Sequence, residues 1–164
     1  MALIEIPLGL PGRIFAGQMP YGDFDSAGAN LNQYQKQQVS TVVLLTPDDE
    51  AQRFSGRDLR ALYADLGLAV LHLPISDKEI PTLRELQQVV QKCLAQAKEG
   101  AHIVIHCRAG LGRTGTIVAC LAREVLGISG ERSIAWTRQH IPGAIETDAQ
   151  IKLILDYPVR VAKC

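Results

Sequence analysis

Short apolar runs alternate along the chain with segments in which apolar residues recur at helical spacing. The pattern of buried strands is found in Arg13–Gly17, Thr41–Leu45 (TVVLL), Ala69–Leu73 (AVLHL) and His102–His106 (HIVIH). Unbroken apolar runs of this length are typical of strands that helices cover on both faces of a sheet. The pattern therefore predicts four strands of a mainly parallel sheet.

Five segments have the pattern of helices. They are Asp58–Leu66, Thr82–Lys98, Thr114–Leu126, a segment from about Gly130 to His140, and a last helix that begins at Thr147. Thr-x-x-Glu and Thr-x-x-Gln capping boxes open two of them, and a glycine follows three of them. The alternation of strands and helices predicts an α/β fold, in which a central, mainly parallel sheet is flanked by helices. With no repeat or linker in the sequence, we expect a single domain over residues 1–164.

Charge and cysteine content argue against several classes of protein. Seventeen Lys and Arg residues balance 17 Asp and Glu residues, so neither nucleic acid nor an anionic membrane surface is an expected partner. The four cysteines, Cys93, Cys107, Cys120 and Cys164, lack zinc-site spacing and are too few for a disulfide scaffold. They indicate a reducing, cytoplasmic location. No apolar run is long enough to span a bilayer, and Cys164 has no prenylation motif around it.

The segment IVIHCRAGLGRTG (103–115) joins the last predicted strand to a helix through a loop rich in glycine. Gly110 and Gly112 allow the backbone to curl so that its N–H groups surround an anion, and the helix dipole adds a positive potential. Arg113 can grip two phosphate oxygens with its planar guanidinium. The loop therefore predicts a phosphate site. The expected substrate-binding residues are Arg108, Ala109, Gly110, Leu111, Gly112 and Arg113.

Cys107 lies at the first position of this loop, where helix dipole and arginine both favour a thiolate. Such a thiolate can attack a bound phosphoryl group and form a phosphocysteine. Thr114 follows the arginine, and its hydroxyl can donate a hydrogen bond to the sulfur when the sulfur leaves. His106 either tunes the thiolate or orients the loop from a buried position, and we favour the second role.

HCRAGLGRTG resembles the H-C-x-x-G-x-x-R-[ST]-G signature of the protein-tyrosine phosphatase superfamily. Residues 116–155 resemble the C-terminal part of compact dual-specificity phosphatases, and Leu71–Pro81 (LHLPISDKEIP) is similar to their acid loop. The run AGLGRTG with a later AW and PG is similar to the mitotic-exit and cyclin-dependent-kinase-associated phosphatases. The resemblance implies a dual-specificity phosphatase fold and hydrolysis of phosphotyrosine, and of phosphoserine and phosphothreonine, through a phosphocysteine.

The resemblance also implies two further catalytic residues. The family's general acid corresponds to Asp77, with Asp48 and Asp49 of the TPDDE loop as competitors and Glu79 as a weaker one. Gln150 corresponds to a glutamine that orients the attacking water in related enzymes. It is also the fourth residue of the capping box at Thr147, and the two uses conflict.

Three other functions share parts of this pattern. A rhodanese-type sulfurtransferase has a shorter anion loop and no upstream acid. A phosphoinositide phosphatase shares the signature, but the lipid enzymes carry extra loop lysines where this chain has Arg108 and Leu111. A non-catalytic phosphate-binding module would not need Cys107.

We expect a monomeric enzyme that acts on phosphorylated proteins or peptides. Without a His, Asp and Glu cluster at ligand spacing, we expect no metal and no other cofactor.

Overall fold

The strands that the structure describes form one five-stranded sheet. The computed structural model describes residues 3–159, and Cys164 lies outside them. The strand order is β1-β2-β5-β3-β4, and the strands are β1 (Ile4–Ile6), β2 (Ile14–Gly17), β3 (Thr41–Leu44), β4 (Ala69–His72) and β5 (Ile103–His106). β1 pairs antiparallel with β2, and the other neighbours are parallel. The predicted α/β fold with a mainly parallel sheet is confirmed.

Helices follow or connect the strands, as the alternation predicts. They are α1 (Ala29–Lys36), α2 (Asp48–Ser55), α3 (Leu59–Asp65), α4 (Leu83–Lys98), α5 (Gly112–Leu126), α6 (Gly130–His140) and α7 (Asp148–Asp156). The Thr82 hydroxyl caps α4 by accepting a hydrogen bond from the Glu85 N–H (3.1 Å). Both halves of the capping box at Thr147 are present at α7. No helix within residues 3–159 has the length and apolar character to cross a membrane.

Three elements were not predicted from the sequence. β1 has only three residues, too few to show an alternating pattern. α1 (ANLNQYQK) is mostly polar in sequence, and the residues that it buries are Asn30 and Tyr34. The segment therefore shows no apolar stripe. The TPDDE segment was interpreted as a loop, which was wrong, because α2 begins at Asp48. Its three consecutive acidic residues stabilise the positive end of the helix dipole, so a run that looks like a polar loop begins a helix.

Both faces of the sheet are buried, which explains the unbroken apolar runs. Alternate residues of β5 belong to different clusters, since Val104 packs with the cluster that contains Tyr34 and Tyr63, whereas Ile103 and Ile105 pack with the larger one. The larger cluster includes residues of α4, α5, α6 and α7. β5 is the middle strand, and α5 is buried along most of its length. The loop between them is therefore held at both ends by the most buried elements of the fold.

Candidate active site

The loop from Cys107 to Leu111 leaves the carboxyl end of β5, and α5 begins at the next residue, Gly112. Gly110 has a φ of 78°, and a Cβ there would lie 2.7 Å from the carbonyl oxygen of Gly17 in β2. A Cβ on Gly112 would lie 2.5 Å from a carboxylate oxygen of Glu146. The close backbone of Gly17 and the positive φ require a glycine at position 110, whereas the atom nearest to Gly112 is the end of a flexible side chain. The strand–loop–helix arrangement predicted for the anion site is present.

Cys107 lies at the bottom of this loop, with 2% of its surface exposed. The Thr114 hydroxyl donates a hydrogen bond to its sulfur, with 3.1 Å between Oγ1 and Sγ. Thr114 is itself fully buried in the first turn of α5. The predicted contact between Thr114 and the sulfur is therefore present, in the buried first turn of α5.

Arg113 is almost completely buried and is paired with a carboxylate that the sequence did not suggest. Its Nη1 and Nη2 donate to the two carboxylate oxygens of Glu50 on α2, at 3.0 and 2.8 Å. Nη1 also donates to the carbonyl oxygen of Ile75 (2.7 Å). Two elements from other parts of the chain thus fix the plane of the guanidinium. The only sequence signal for Glu50 is its place in the acidic run TPDDE, where Asp48 and Asp49 seemed the candidates.

Asp77 lies in the loop between β4 and α4, and its carboxylate is 3.3 Å from Nη2 of Arg113. Its side chain is about half exposed. The following residue, Lys78, has a left-handed φ of 66°, in a turn closed by a hydrogen bond from the Glu79 N–H to the Ser76 carbonyl (3.0 Å). Such a strained backbone is common at functional sites.

The other proposed acids do not line this cleft. Asp48 forms an exposed ion pair with Arg60, and neither residue contributes to the cleft lining. Asp49 and Glu79 are exposed, and neither contributes to the cleft lining. Of the candidate acids, the structure therefore brings only Asp77 beside Cys107 and Arg113.

A cleft of about 230 Å³ opens above the sulfur. Its walls come from four separate segments, and the lining residues are Phe24, Asp77, Lys78, Cys107, Arg108, Ala109, Arg113 and Glu146. Phe24, Lys78 and Glu146 were not predicted. Phe24 and Glu146 are far in sequence from the signature, and no local pattern marks them, so only the fold reveals that they face the site.

Two of the predicted substrate-binding residues, Arg108 and Leu111, have side chains that make other contacts. Arg108 donates from Nε and Nη2 to the carboxylate of Asp23 (3.1 and 2.5 Å). This hydrogen bonding lowers the pKa of Asp23. Leu111 instead borders a separate apolar cavity with Ile141 and Pro142. The Leu111 side chain is therefore outside the cleft, whereas Ala109 borders both cavities.

Gln150 is buried beside the loop, and its two polar atoms have different environments. Oε1 accepts hydrogen bonds from the backbone N–H groups of Glu146 (2.8 Å) and Thr147 (3.2 Å). Nε2 finds no acceptor among residues 3–159, and it lies where a Cβ on Gly112 would be 3.1 Å away. The capping role of Gln150 is thus present, and it leaves one amide group beside the loop without a partner.

His106 orients the base of the loop from the end of β5. Its Nδ1 is 2.9 Å from the carbonyl oxygen of Cys107, and its Nε2 is 2.7 Å from the hydroxyl of Tyr63 on α3. Burial lowers the pKa of His106 to about 4, so the ring is neutral at pH 7. Since a carbonyl can only accept, the single proton resides on Nδ1, and Tyr63 donates to Nε2. This geometry fits the predicted orienting role.

The other two described cysteines lack the features of a reactive thiolate. Cys93 and Cys120 are free and fully buried, on α4 and α5. Burial raises the pKa of Cys93 to about 12 and that of Cys120 further still. Both therefore remain thiols at neutral pH. The structure also contains, within the part of the chain that it describes, no group of three or more His, Cys, Asp or Glu residues that could hold a metal ion.

A buried cysteine at the start of an anion loop, an arginine at the loop's end and a carboxylate at the rim define the class of cysteine-dependent phosphatases. The family model described as "Polymorphic toxin system, DSP-PTPase phosphatase" (Tc-R-P) matches residues 16–124. The chain therefore belongs to the DSP-PTPase family of phosphatases.

Individual relatives agree with this assignment. The dual specificity protein phosphatase CDC14A of Mus musculus is 34% identical over 113 residues, which are 68% of this chain and 17% of that protein. The chain thus spans less than a fifth of this relative's length. Tk-PTP, solved in its active form, is 29% identical with a TM-score of 0.74, covering 87% of this chain and 89% of Tk-PTP. Kinase associated phosphatase (KAP) shares the fold, with 21% identity, a TM-score of 0.80 and coverage of 93% and 90%.

Replacing Tyr63 by Phe tests the support of the loop through His106. The variant leaves the buried Nε2 of His106 without a donor, so we expect the free energy of unfolding to fall by about 1–3 kcal/mol. Urea denaturation measures the change. Tyr21→Phe is the control, because it preserves the ring that packs under Arg57, and we expect a change within about 0.5 kcal/mol. Equal stabilities of Tyr63→Phe and wild type would contradict the inferred hydrogen bond.

Replacing Glu50 by Gln tests the pairing of Arg113. The variant keeps the shape of the side chain but leaves a buried cation without its counter-charge, so we expect a loss of about 3 kcal/mol in unfolding free energy. The matched control is Asp48→Asn on the same helix, because its pair with Arg60 is exposed and should contribute about 1 kcal/mol or less. Similar losses of unfolding free energy in the two variants would show that the buried Arg113–Glu50 pair contributes no more to stability than the exposed pair.

Proposed function

We propose that the chain hydrolyses phosphate monoesters on proteins or peptides, with phosphotyrosine and also phosphoserine and phosphothreonine as substrates. The observation that carries the proposal is that Cys107, Arg113 and Asp77 line one cleft, although Asp77 is far from the others in sequence. We further propose that the whole chain is a single phosphatase domain. All five strands in a single sheet support this proposal.

The proposed capture of phosphate depends on Arg113 and the start of α5. The guanidinium already has its plane fixed by Glu50 and the Ile75 carbonyl, so little side-chain entropy is lost when phosphate binds. The amino end of α5 adds a positive potential at the same point. A substrate phosphate bound there has its phosphorus in front of the Cys107 sulfur.

In the first proposed step, the Cys107 thiolate attacks phosphorus. A sulfur–phosphorus bond forms, the bond from phosphorus to the ester oxygen breaks, and Asp77 gives its proton to that oxygen. The position of Asp77 at the rim of the cleft supports this role, because the leaving oxygen points away from the sulfur in an in-line displacement. In protonated form, Asp77 no longer forms an ion pair with Arg113, and the Nη2 donor that faces Asp77 becomes available to the phosphate without a change in the guanidinium plane.

In the second proposed step, water attacks the phosphocysteine and Asp77 takes its proton. The sulfur–phosphorus bond breaks, phosphate is released, and the thiolate returns. The hydroxyl of Thr114 stabilises the departing sulfur through the hydrogen bond that it already makes. We propose that Gln150 helps to orient the water, since its Nε2 is a buried donor beside the loop and has no other described partner.

The competing functions have less support from the same contacts. A phosphoinositide phosphatase would use Arg108 for additional phosphates, but two donor nitrogens of Arg108 are occupied by Asp23. A non-catalytic module would have no use for a hydroxyl directed at the sulfur or a carboxylate at the rim. We also propose a cytoplasmic location, because the nucleophile must be reduced and the described cysteines are free.

The nucleophile is tested by Cys107→Ser. We expect turnover to be lost, because a serine hydroxyl has no neighbouring base here and stays protonated, while binding of phosphate esters persists through Arg113 and the loop. Steady-state kinetics measure the first effect, and calorimetry with a phosphopeptide measures the second. Cys93→Ser is a suitable control, since that thiol is buried on α4. Near-normal turnover by Cys107→Ser would exclude a covalent mechanism.

The general acid is tested by Asp77→Asn. We expect kcat to fall by about 10²–10⁴-fold with an alkyl phosphate, the usual size of an acid–base contribution. The loss should be smaller with a nitrophenyl phosphate, whose leaving group needs little protonation, and the basic limb of the pH profile should flatten. Asp48→Asn should leave kcat nearly unchanged. If Asp77→Asn had the kcat and pH profile of the wild type and Asp48→Asn had lost activity, the general acid would be Asp48 instead of Asp77.

A further inference from the structure

Phe24 is a large aromatic side chain that the proposed chemistry does not use, although it lines the catalytic cleft. It is 50% exposed. Its neighbours in the cleft wall include Cys107 and Arg113. The exposed face of the ring is therefore available to a ligand in the cleft, and covering it would remove apolar surface from water.

The segment that carries Phe24 is held firmly in place. It lies between β2 and α1, and the Met19 N–H donates to the carbonyl oxygen of Arg108 in the phosphate loop (3.1 Å). The buried carboxylate of Asp25 accepts from the N–H groups of Ala29 and Asn30 at the start of α1, both at 3.0 Å. Phe24 thus precedes a well-anchored residue, and the backbone that carries it is held close to the phosphate loop.

Asp23, the residue before Phe24, holds the side chain of Arg108, which lines the cleft. Its carboxylate binds Nε and Nη2 of Arg108, and the guanidinium packs over the ring of Phe54 at 3.6 Å from its centroid. The same guanidinium is 5.8 Å from the centroid of Phe24. Arg108 therefore contributes a flat, charge-compensated surface next to Phe24 and has fewer free donors for a second phosphate.

We propose that Phe24 is a specificity-determining residue that selects aryl phosphates, and hence phosphotyrosine, over phosphoserine and phosphothreonine. The proposal rests on the phosphatase activity proposed above. With the phosphate at Cys107, the ring of phosphotyrosine occupies the cleft above it, where offset or edge contact with Phe24 is favourable. Phosphoserine and phosphothreonine have no ring at this height, so they lack the contact and draw the peptide backbone closer to the rim.

The test compares two peptides of identical sequence that differ only in carrying phosphotyrosine or phosphothreonine. In Phe24→Ala, we expect kcat/KM for the phosphotyrosine peptide to fall by about 3- to 10-fold, through KM, because an aromatic pair contributes on this scale. The ratio of kcat/KM for phosphotyrosine to that for phosphothreonine should fall by the same factor. Phe24→Tyr should restore it, and Phe24→Leu should restore it only in part.

Leu66→Ala is the matched control, because Leu66 is 53% exposed but lies just before β4, at the opposite end of the sheet from the cleft. It should leave the ratio unchanged. An equal loss on both peptides in Phe24→Ala, or no loss on the phosphotyrosine peptide, would overturn the selection by Phe24 while leaving the phosphatase function standing. Hydrolysis of neither peptide by the wild type would overturn the proposed function and this inference together.

Discussion

The charge of Arg113 is the constraint around which the site is organised. The side chain is 3% exposed, and a guanidinium cannot lose its proton, so burial demands a fixed counter-charge. Glu50 supplies it from α2, the Ile75 carbonyl supplies an acceptor after β4, and Asp77 approaches from the same loop. One buried cation thereby ties α2 and the loop between β4 and α4 to the start of α5. The loop between β4 and α4 also contributes Asp77 and Lys78 to the wall of the cleft.

Neutral side chains hold the Cys107–Leu111 loop in its conformation. His106 has a single proton, on Nδ1, and connects Tyr63 to the Cys107 carbonyl. Gln150 caps α7 and packs against Gly112, while Thr114 directs its hydroxyl at the sulfur. Because these groups carry no net charge, they do not compete with an anionic substrate. The charged side chains of Asp77, Arg108, Arg113 and Glu146 instead line the cleft itself.

Much of the fold was predictable because its strands and longer helices have strong periodicity and caps. The apolar run before His106 and the Thr147 capping box are local signals, and both agree with the structure. α1 and α2 were missed because tertiary contacts, rather than an apolar stripe, stabilise them. In the site, Cys107, Arg113 and Thr114 form one contiguous motif. Glu50 and Phe24 could not be inferred, because only the three-dimensional arrangement brings them to the loop.

Detection of the covalent intermediate tests the central claim most directly. The Asp77→Asn variant would be mixed with a nitrophenyl phosphate, quenched in acid during turnover, digested and analysed by mass spectrometry. A good leaving group makes the first step fast, whereas loss of the carboxylate slows hydrolysis of the intermediate. The account predicts a phosphoryl group on the peptide that contains Cys107, which appears with the nitrophenolate burst and decays as phosphate is released. Turnover with Cys107 unmodified throughout, or with the phosphoryl group on another residue, would contradict it.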